Sequence, residues 1–319
     1  MKKYLFILVF LVISCTKKNK EIPQSSGKTN TISIIIDDEY WNGEIGDSIR
    51  NKFAAPVIGL PQEEPIFTIN QFPVKLLEGF MTNSRNIIVI KKQAKNQFEI
   101  TENEYAKPQN VIHISGKSVV EILDTINHNS DKIINKIKNT EIIDCQNKNK
   151  NSLLNTKNLN AKFNITIEIP KTYKKVMRRS KFVWLKKEIS SGSLSLLIYQ
   201  TPIFDINSNQ KKLCRVIKTR DSIGNLYVHG GARNSQMTTD ETFAPYFSKA
   251  KIDNKTTFET KGLWKMNNDF MSGPFINYNI FDPKRNRILV VEGFCYAPSK
   301  EKRDLMFELE AIIKSIKLK

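Results

Sequence analysis

Catalytic signatures are what this chain has least of. Its three histidines, His113, His128 and His229, stand far apart with no HExxH motif and no metal-ligand spacing, so no metal site is expected. No GxSxG elbow is present to hold a nucleophilic serine. Gly116-Lys117-Ser118 has the end of a phosphate loop, but that loop needs a glycine five positions before its Gly-Lys, and Val111 stands there. Ser118 is better read as a helix cap, and no cofactor is expected. Cysteine is sparse, and the four residues form no CxxC pair, which argues against a zinc or redox site. After the first 14 residues no stretch approaches 18 consecutive apolar residues, so no membrane-spanning helix is expected in the body. Acidic residues are outnumbered 32 to 50, giving a formal charge of +18. Most of that charge is lysine, in a chain crowded with asparagine and isoleucine. Arginine, the residue suited to bidentate phosphate contacts, is scarce, so nucleic acid is not an expected partner.

The N-terminus carries the most specific feature. Lys2 and Lys3 precede an apolar run over 4–13, about ten residues, within the roughly 7–15 of a signal-peptide core. A permanent span needs about 20 residues, so this run is too short to be one. It ends in Val12-Ile13-Ser14-Cys15, which resembles the lipobox of bacterial lipoproteins, with Val12 where leucine is usual. That resemblance implies a signal peptide over 1–14 and a lipid, palmitate among its acyl chains, on Cys15. Removing 1–14 from 319 residues leaves 305, and the loss of Lys2 and Lys3 takes the charge from +18 to +16. Residues 15–30 are polar and aperiodic and read as a lipidated tether.

Beyond the tether the pattern predicts an α+β protein of two domains, each a mixed or antiparallel sheet packed against helices. The first, 31–144, opens with a strand over 31–36. A helix follows whose apolar stripe is Trp41, Ile45, Ile49 and Phe53. Strands are expected over 86–90 and 111–114, with a helical stretch over 74–81. The S-x-x-E spacing of Ser118 and Glu121 then opens a long helix with Ile122, Ile126, Ile133 and Ile137 on its face. Asn- and Lys-rich residues 145–161 read as a linker. The second domain, 162–319, is expected to have strands over 163–169, 182–187, 194–201, 256–266, 274–281 and 288–297. A helix over 210–223 and a final helix capped by Ser299 complete it.

Three readings of function are carried by these residues. The leading one is a non-catalytic binding or accessory protein, with a cleft or surface in the second domain. Its candidates are Arg220, Asp221, Arg233, Trp264, Met271, Gly273, Phe275, Glu292 and Arg303, where glycines beside aromatics allow close approach and flat contacts. A bland reading of the same residues is a structural arginine–carboxylate network among core aromatics. The runner-up function is a hydrolase using Asp37, Asp38 or Glu292 as acid or base, although carboxylates such as Asp37 and Asp38 at a strand end more often cap the next helix. The third is a structural envelope protein. Cys145, Cys214 and Cys295 allow one disulfide, with buried free thiols the plainer reading.

Many short segments resemble one family in order along the chain. They run from Asp38 and Trp41 through Phe53-Ala54-Ala55-Pro56, Gly59-Leu60-Pro61 and Pro65 to Arg85-Asn86-Ile87. Arg220-Asp221-Ser222, Gly262-Leu263-Trp264, Met271 to Phe275, Glu292-Gly293-Phe294, Tyr296-Ala297-Pro298 and Lys302-Arg303 continue the match. The family is an uncharacterised group of lipoproteins of Bacteroidetes-type bacteria, designated domain of unknown function 4837. His229 departs from the proline expected there and is left out of the site. The resemblance implies an outer-membrane lipoprotein with no assigned activity or catalytic residues. Lys17 and Lys18, with no acidic cluster beside the anchor, suggest a periplasm-facing protein whose partners are the membrane through its lipid and an envelope protein or ligand.

Overall fold

The structure, a computed structural model, describes residues 22–204 and 208–319. The signal peptide over 1–14, Cys15 and the start of the tether lie outside the described residues. Among the described residues no helix is long and apolar enough to cross a membrane.

The chain folds as an α+β protein built on two principal sheets. In the first half β1 (Thr31–Ile35) leads to two short helices, α1 (Asp38–Trp41) and α2 (Glu44–Phe53), then to β2 (Thr68–Phe72). Two 3₁₀ turns occupy the region expected to be helical, Val74–Leu76 and Gly79–Asn83. They precede β3 (Asn86–Lys92), β4 (Gln97–Glu102), β5 (Asn110–Gly116) and α3 (Val119–Lys150). The sheet order is β2-β1-β3-β5-β4, parallel except for the antiparallel edge strand β4. One face packs on α2 and α3, where Ile32, Ile34, Ile88, Ile90 and Ile112 meet Ile45, Ile49, Phe53, Ile122 and Ile126. Ser118 caps α3, accepting from Glu121 N at 3.3 Å. Glu121 reaches back to Lys117 N at 2.8 Å, one residue earlier than the capping-box pattern.

The polar stretch 145–161 is not a free linker. Cys145 to Lys150 are the last turns of α3, and α4 (Lys157–Phe163) buries Leu159 and Phe163 in the second core. Its aperiodic composition conceals this because α3 extends past its own sheet, and Gln146 Nε2 donates to Ala311 O of the other half at 2.9 Å.

In the second half β6 (Ile165–Thr166), β7 (Lys174–Arg179), β8 (Phe182–Ile189) and β9 (Gly192–Pro202) precede α5 (Asn209–Tyr227). After it come β10 (Met237–Thr239), β11 (Tyr246–Ile252), β12 (Lys255–Met266), β13 (Ser272–Asp282) and β14 (Arg287–Tyr296). The chain closes with α6 (Arg303–Lys314) and β15 (Lys317–Leu318). Of the strand expected over 163–169 only β6 pairs, with β15, although Ile165, Ile167 and Ile169 all point into the core. The antiparallel sheet has the order β10-β12-β13-β14-β9-β8-β7, with β11 sharing the outer edge of β12. Both faces are covered. Leu194, Leu196, Ile276, Tyr278, Leu289 and Val291 pack under α4 and α6, and their strand neighbours Leu197, Tyr199, Phe275, Val290 and Phe294 pack under α5. These central strands therefore read as continuous apolar runs with few alternating polar positions. Cys145, Cys214 and Cys295 are free thiols; Cys295 is buried, but Cys214 is exposed, against the expectation of burial.

Candidate functional site

The nine candidate binding residues separate into three places. Arg220, Asp221, Phe275 and Glu292 come together with Trp264 and Gly273 inside the second half. Arg220 on α5 is 1% exposed and Glu292 on β14 is 0% exposed, so neither lines an open cleft. The guanidinium of Arg220 stacks over Phe275 at 3.9 Å and donates from Nη1 to Thr239 Oγ1 at 3.0 Å. Asp221 Oδ1 accepts from Thr239 N and Oγ1, both at 2.7 Å, tying α5 to β10. Glu292 Oε2 accepts from Asn277 Nδ2 at 2.7 Å, and Asn279 Nδ2 supports Asn277 Oδ1 at 2.6 Å. Arg220 Nε lies 3.1 Å from Glu292 Oε1, yet neither atom is in hydrogen-bond alignment. Burial pushes the Glu292 carboxyl above its ordinary range, with Arg220 and Asn277 opposing that shift. The same burial, with Glu292 beside it, raises the Tyr199 hydroxyl.

Trp264 is likewise a core residue. Its Nε1 donates to Cys295 O at 3.2 Å, and its ring meets Phe294 edge-on at 5.4 Å. Gly273 is required by this approach, because a Cβ there would sit 2.1 Å from Cys295 O and 3.1 Å from Trp264 Nε1. The arrangement is that of a structural arginine–carboxylate network beneath core aromatics.

Arg233 and Met271 lie in a second place, at the end of the sheet. Arg233 is exposed on the 229–236 loop, and Met271 is partly buried in the turn joining β12 to β13. The loop and turn are stitched together, Gln236 N donating to Asn267 Oδ1 at 2.8 Å and Asn267 N to Gln236 O at 3.1 Å. Within that turn Phe270 stands fully exposed. Sequence reading passed over Phe270, whose signal is an aromatic placed directly after a polar Asn-Asn-Asp turn.

Arg303 occupies a third place, where the two halves meet. It donates from Nη1 to Pro65 O at 3.0 Å and Thr68 Oγ1 at 3.1 Å, and pairs with Asp304 at 2.9 Å. The cap expected of Ser299 is supplied instead by Glu64, whose carboxylate accepts from Lys302 N at 2.7 Å and Arg303 N at 2.7 Å. Its negative charge at the start of α6 also complements the helix dipole. Nothing near Ser299 betrays this, since the partner lies more than 230 residues away in sequence. Gly59, at φ 87°, brings the same loop so close to β12 that a Cβ would meet Lys261 Cβ at 2.9 Å.

The remaining carboxylates are exposed. Asp37 holds the N-cap position of α1 but does not cap it, accepting instead from Val74 N at 3.3 Å. Asp38 accepts from Gln71 Nε2 at 2.9 Å.

A family model described as domain of unknown function (DUF4837) matches residues 152–315, and a second, domain of unknown function (DUF8532), matches residues 25–150. No curated protein matches the chain in sequence. Among solved structures, part of the chain is similar to the Saccharomyces cerevisiae Ran-binding protein Mog1p. That likeness has 9% identity and a TM-score of 0.33, over 49% of this chain and 90% of that one, too weak to carry an argument.

Proposed function

The chain belongs to the family described as domain of unknown function (DUF4837), and on that premise we propose a lipid-anchored envelope protein that binds a protein partner without catalysis. Lipid on Cys15 holds it at the outer membrane, facing the periplasm. The expected tether over 15–30 is shortened at its end, because Ser25 N donates to Lys107 O at 3.0 Å, Ser26 N donates to Asn83 O at 2.7 Å and Asn30 is buried, which makes this stretch part of the folded body. The observation that carries the binding reading is Phe270, fully exposed at the end of the sheet on a turn hydrogen-bonded to the loop that carries the exposed Arg233. Aromatic residues and arginine are residue types enriched at protein–protein contacts. Beneath it, the buried Arg220–Glu292 network fixes α5 and β10 and so holds the tip in place. The carboxylates that a hydrolase would use are engaged elsewhere: Glu292 is sealed in the core, and Asp37 and Asp38 hold Val74 and Gln71.

The test is in-cell crosslinking and pull-down of the tethered protein beside an Arg233→Ala/Phe270→Ala double variant. Both residues are exposed, so the variant should fold as the parent does. A partner captured by the parent and lost from the variant supports the reading. Capture unaffected by the double substitution removes the tip as the contact. Separately, Cys15→Ala should abolish palmitate labelling and release the protein from the membrane fraction, and retention there would overturn the anchor.

A further inference from the structure

A cavity of about 70 Å³ lies between the two halves, apart from the exposed tip. Its apolar walls are Ile58 and Leu60 of the proline-punctuated loop, Ile142 of α3, and Met306 and Phe307 of α6. Four cations gather at it or beside it. Lys261 pairs with Glu259 at 3.2 Å, and Lys314 with Glu310 at 2.6 Å. Arg303 pairs with Asp304 at 2.9 Å. Tyr278 further ties down Glu259, donating its hydroxyl at 2.5 Å. Lys138, half-buried on α3 one turn before Ile142, forms no ion pair among the described residues. Of these cations Lys138 alone lacks an ion-pair partner among the described residues, and it stands in a largely apolar wall. Burial disfavours the charged form of Lys138; Glu310 opposes that shift, while Lys261 and Lys314 add repulsion.

We propose that this cavity binds a small aliphatic monocarboxylate, its carboxylate on Lys138 and its methylene groups against Ile58, Leu60, Ile142 and Met306. One unpaired cation matches one negative charge. A phosphate would bring a second charge and further acceptors, while Lys261 and Arg303, the other cations of the lining, are already paired with Glu259 and Asp304. Size sets the other limit. The cavity holds roughly twice the 30 Å³ share of a water and about half the 150 Å³ of a cavity that accepts benzene, so the enclosed part of the ligand is a few heavy atoms. Ile58 is exposed at the rim, so the enclosed carboxylate could belong to a free short acid or terminate a longer acyl chain.

The purified full chain in non-ionic detergent is titrated calorimetrically with acetate, butyrate and octanoate, with chloride, phosphate and butanol as controls. Saturable binding of a carboxylate is expected, with none by the controls. Lys138→Met keeps the aliphatic stem and deletes the charge; it should weaken binding at least about tenfold, or about 1.4 kcal/mol. Met306→Trp fills the cavity from α6 and should abolish binding. Tighter binding of octanoate than of butyrate assigns the site to an acyl chain end, and the reverse order to a free short acid. Absence of saturable carboxylate binding, equal affinity for chloride or phosphate, or full affinity in a folded Lys138→Met protein would each overturn the proposal. Should Lys138→Met not fold, Lys138→Gln gives the same comparison. The partner contact at Phe270 does not depend on any of these results.

Discussion

Arg85 in the first half and Arg220 in the second are both buried, and each faces a glutamate on a neighbouring element. Arg85 donates to both oxygens of Glu141, at 3.0 and 2.6 Å, and to Asp144 at 2.7 Å. Asn86 fills a further lone pair of Glu141 at 2.8 Å, Asn110 supports Asn86 at 2.8 Å, and Thr140 closes the chain onto Asn110 at 3.1 Å. Arg220 meets Glu292 through one unaligned contact and Asp221 through a long 3.3 Å bond, and its other partners are a hydroxyl, a sulfur and an aromatic face. The consequences diverge. The carboxylates around Arg85 lift its pKa despite burial, whereas Glu292 has its own pKa raised even with an arginine beside it. A buried ion pair holds firmly only where every lone pair and proton is used. The Arg85 cluster comes closer to that condition than the Arg220–Glu292 contact, where Arg220 Nε and Glu292 Oε1 have no aligned partner.

Arg85→Ala should therefore have the largest effect of any charge deletion, about 3–5 kcal/mol in urea unfolding, because it leaves Glu141 and Asp144 facing each other in the interior. Arg220→Ala should cost less, since Glu292 can take up a proton; an equal or larger loss would erase the contrast. Next in size is Glu64→Ala, expected to cost about 1–2 kcal/mol through loss of the α6 cap. Ser299→Ala, at the exposed position where the cap was expected, should stay within about 0.5 kcal/mol. The smallest effect belongs to Glu292→Gln, which keeps the acceptor for Asn277 and should be neutral or slightly stabilising at pH 7.

Acid should separate the two halves further. Glu292, raised from its ordinary 4.5, contributes stability that is present below pH 4.5 and lost as pH rises through its folded pKa. Asp144 in the first half is shifted the other way, lowered from 3.8 by Lys148 and Arg85 against the opposing effect of burial. Its contribution is present above pH 3.8 and is lost as pH falls through its folded value. Glu310, at the junction, is lowered from 4.5 to about 2 by Lys314, Lys261 and Lys138 against burial, so its contribution disappears over that same range. Urea midpoints measured from pH 2 to 8 should fall steeply below pH 4.5 in the parent. That fall should be shallower in Glu310→Gln, whereas Glu292→Gln should differ from the parent only above pH 4.5. An acid limb unchanged by Glu310→Gln would remove the junction cluster from the account.

Much of the fold was legible residue by residue. The four-residue stripe from Trp41 to Phe53, the face of α3 and the apolar strands β3, β5, β9, β13 and β14 all declared themselves through local period. Missed as strands were β2, β4, β7, β10, β11 and β15. In β7, Lys174–Arg179, five of six residues are exposed, so no apolar pattern marks it, and only its pairing with β8 makes it a strand. The candidate site was half legible: the arginine, acid and aromatic segments pointed to Arg220, Asp221, Phe275 and Glu292 as a group. What they could not disclose was burial. Asn277 and Asn279, set into an otherwise apolar strand, were the sign that the group closes on itself as a hydrogen-bonded network.

Period, capping spacing and composition act between near neighbours, and these dictate the α+β class, most helices and the apolar strands of this chain. Tertiary contact decided the rest: the extension of α3 across to the other half, the cap that Glu64 places on α6, and the unpaired charge of Lys138 in a wall built from both halves. Each depends on groups far apart in the chain, whose dehydration and pairing energies arise only once two separately patterned surfaces are pressed together.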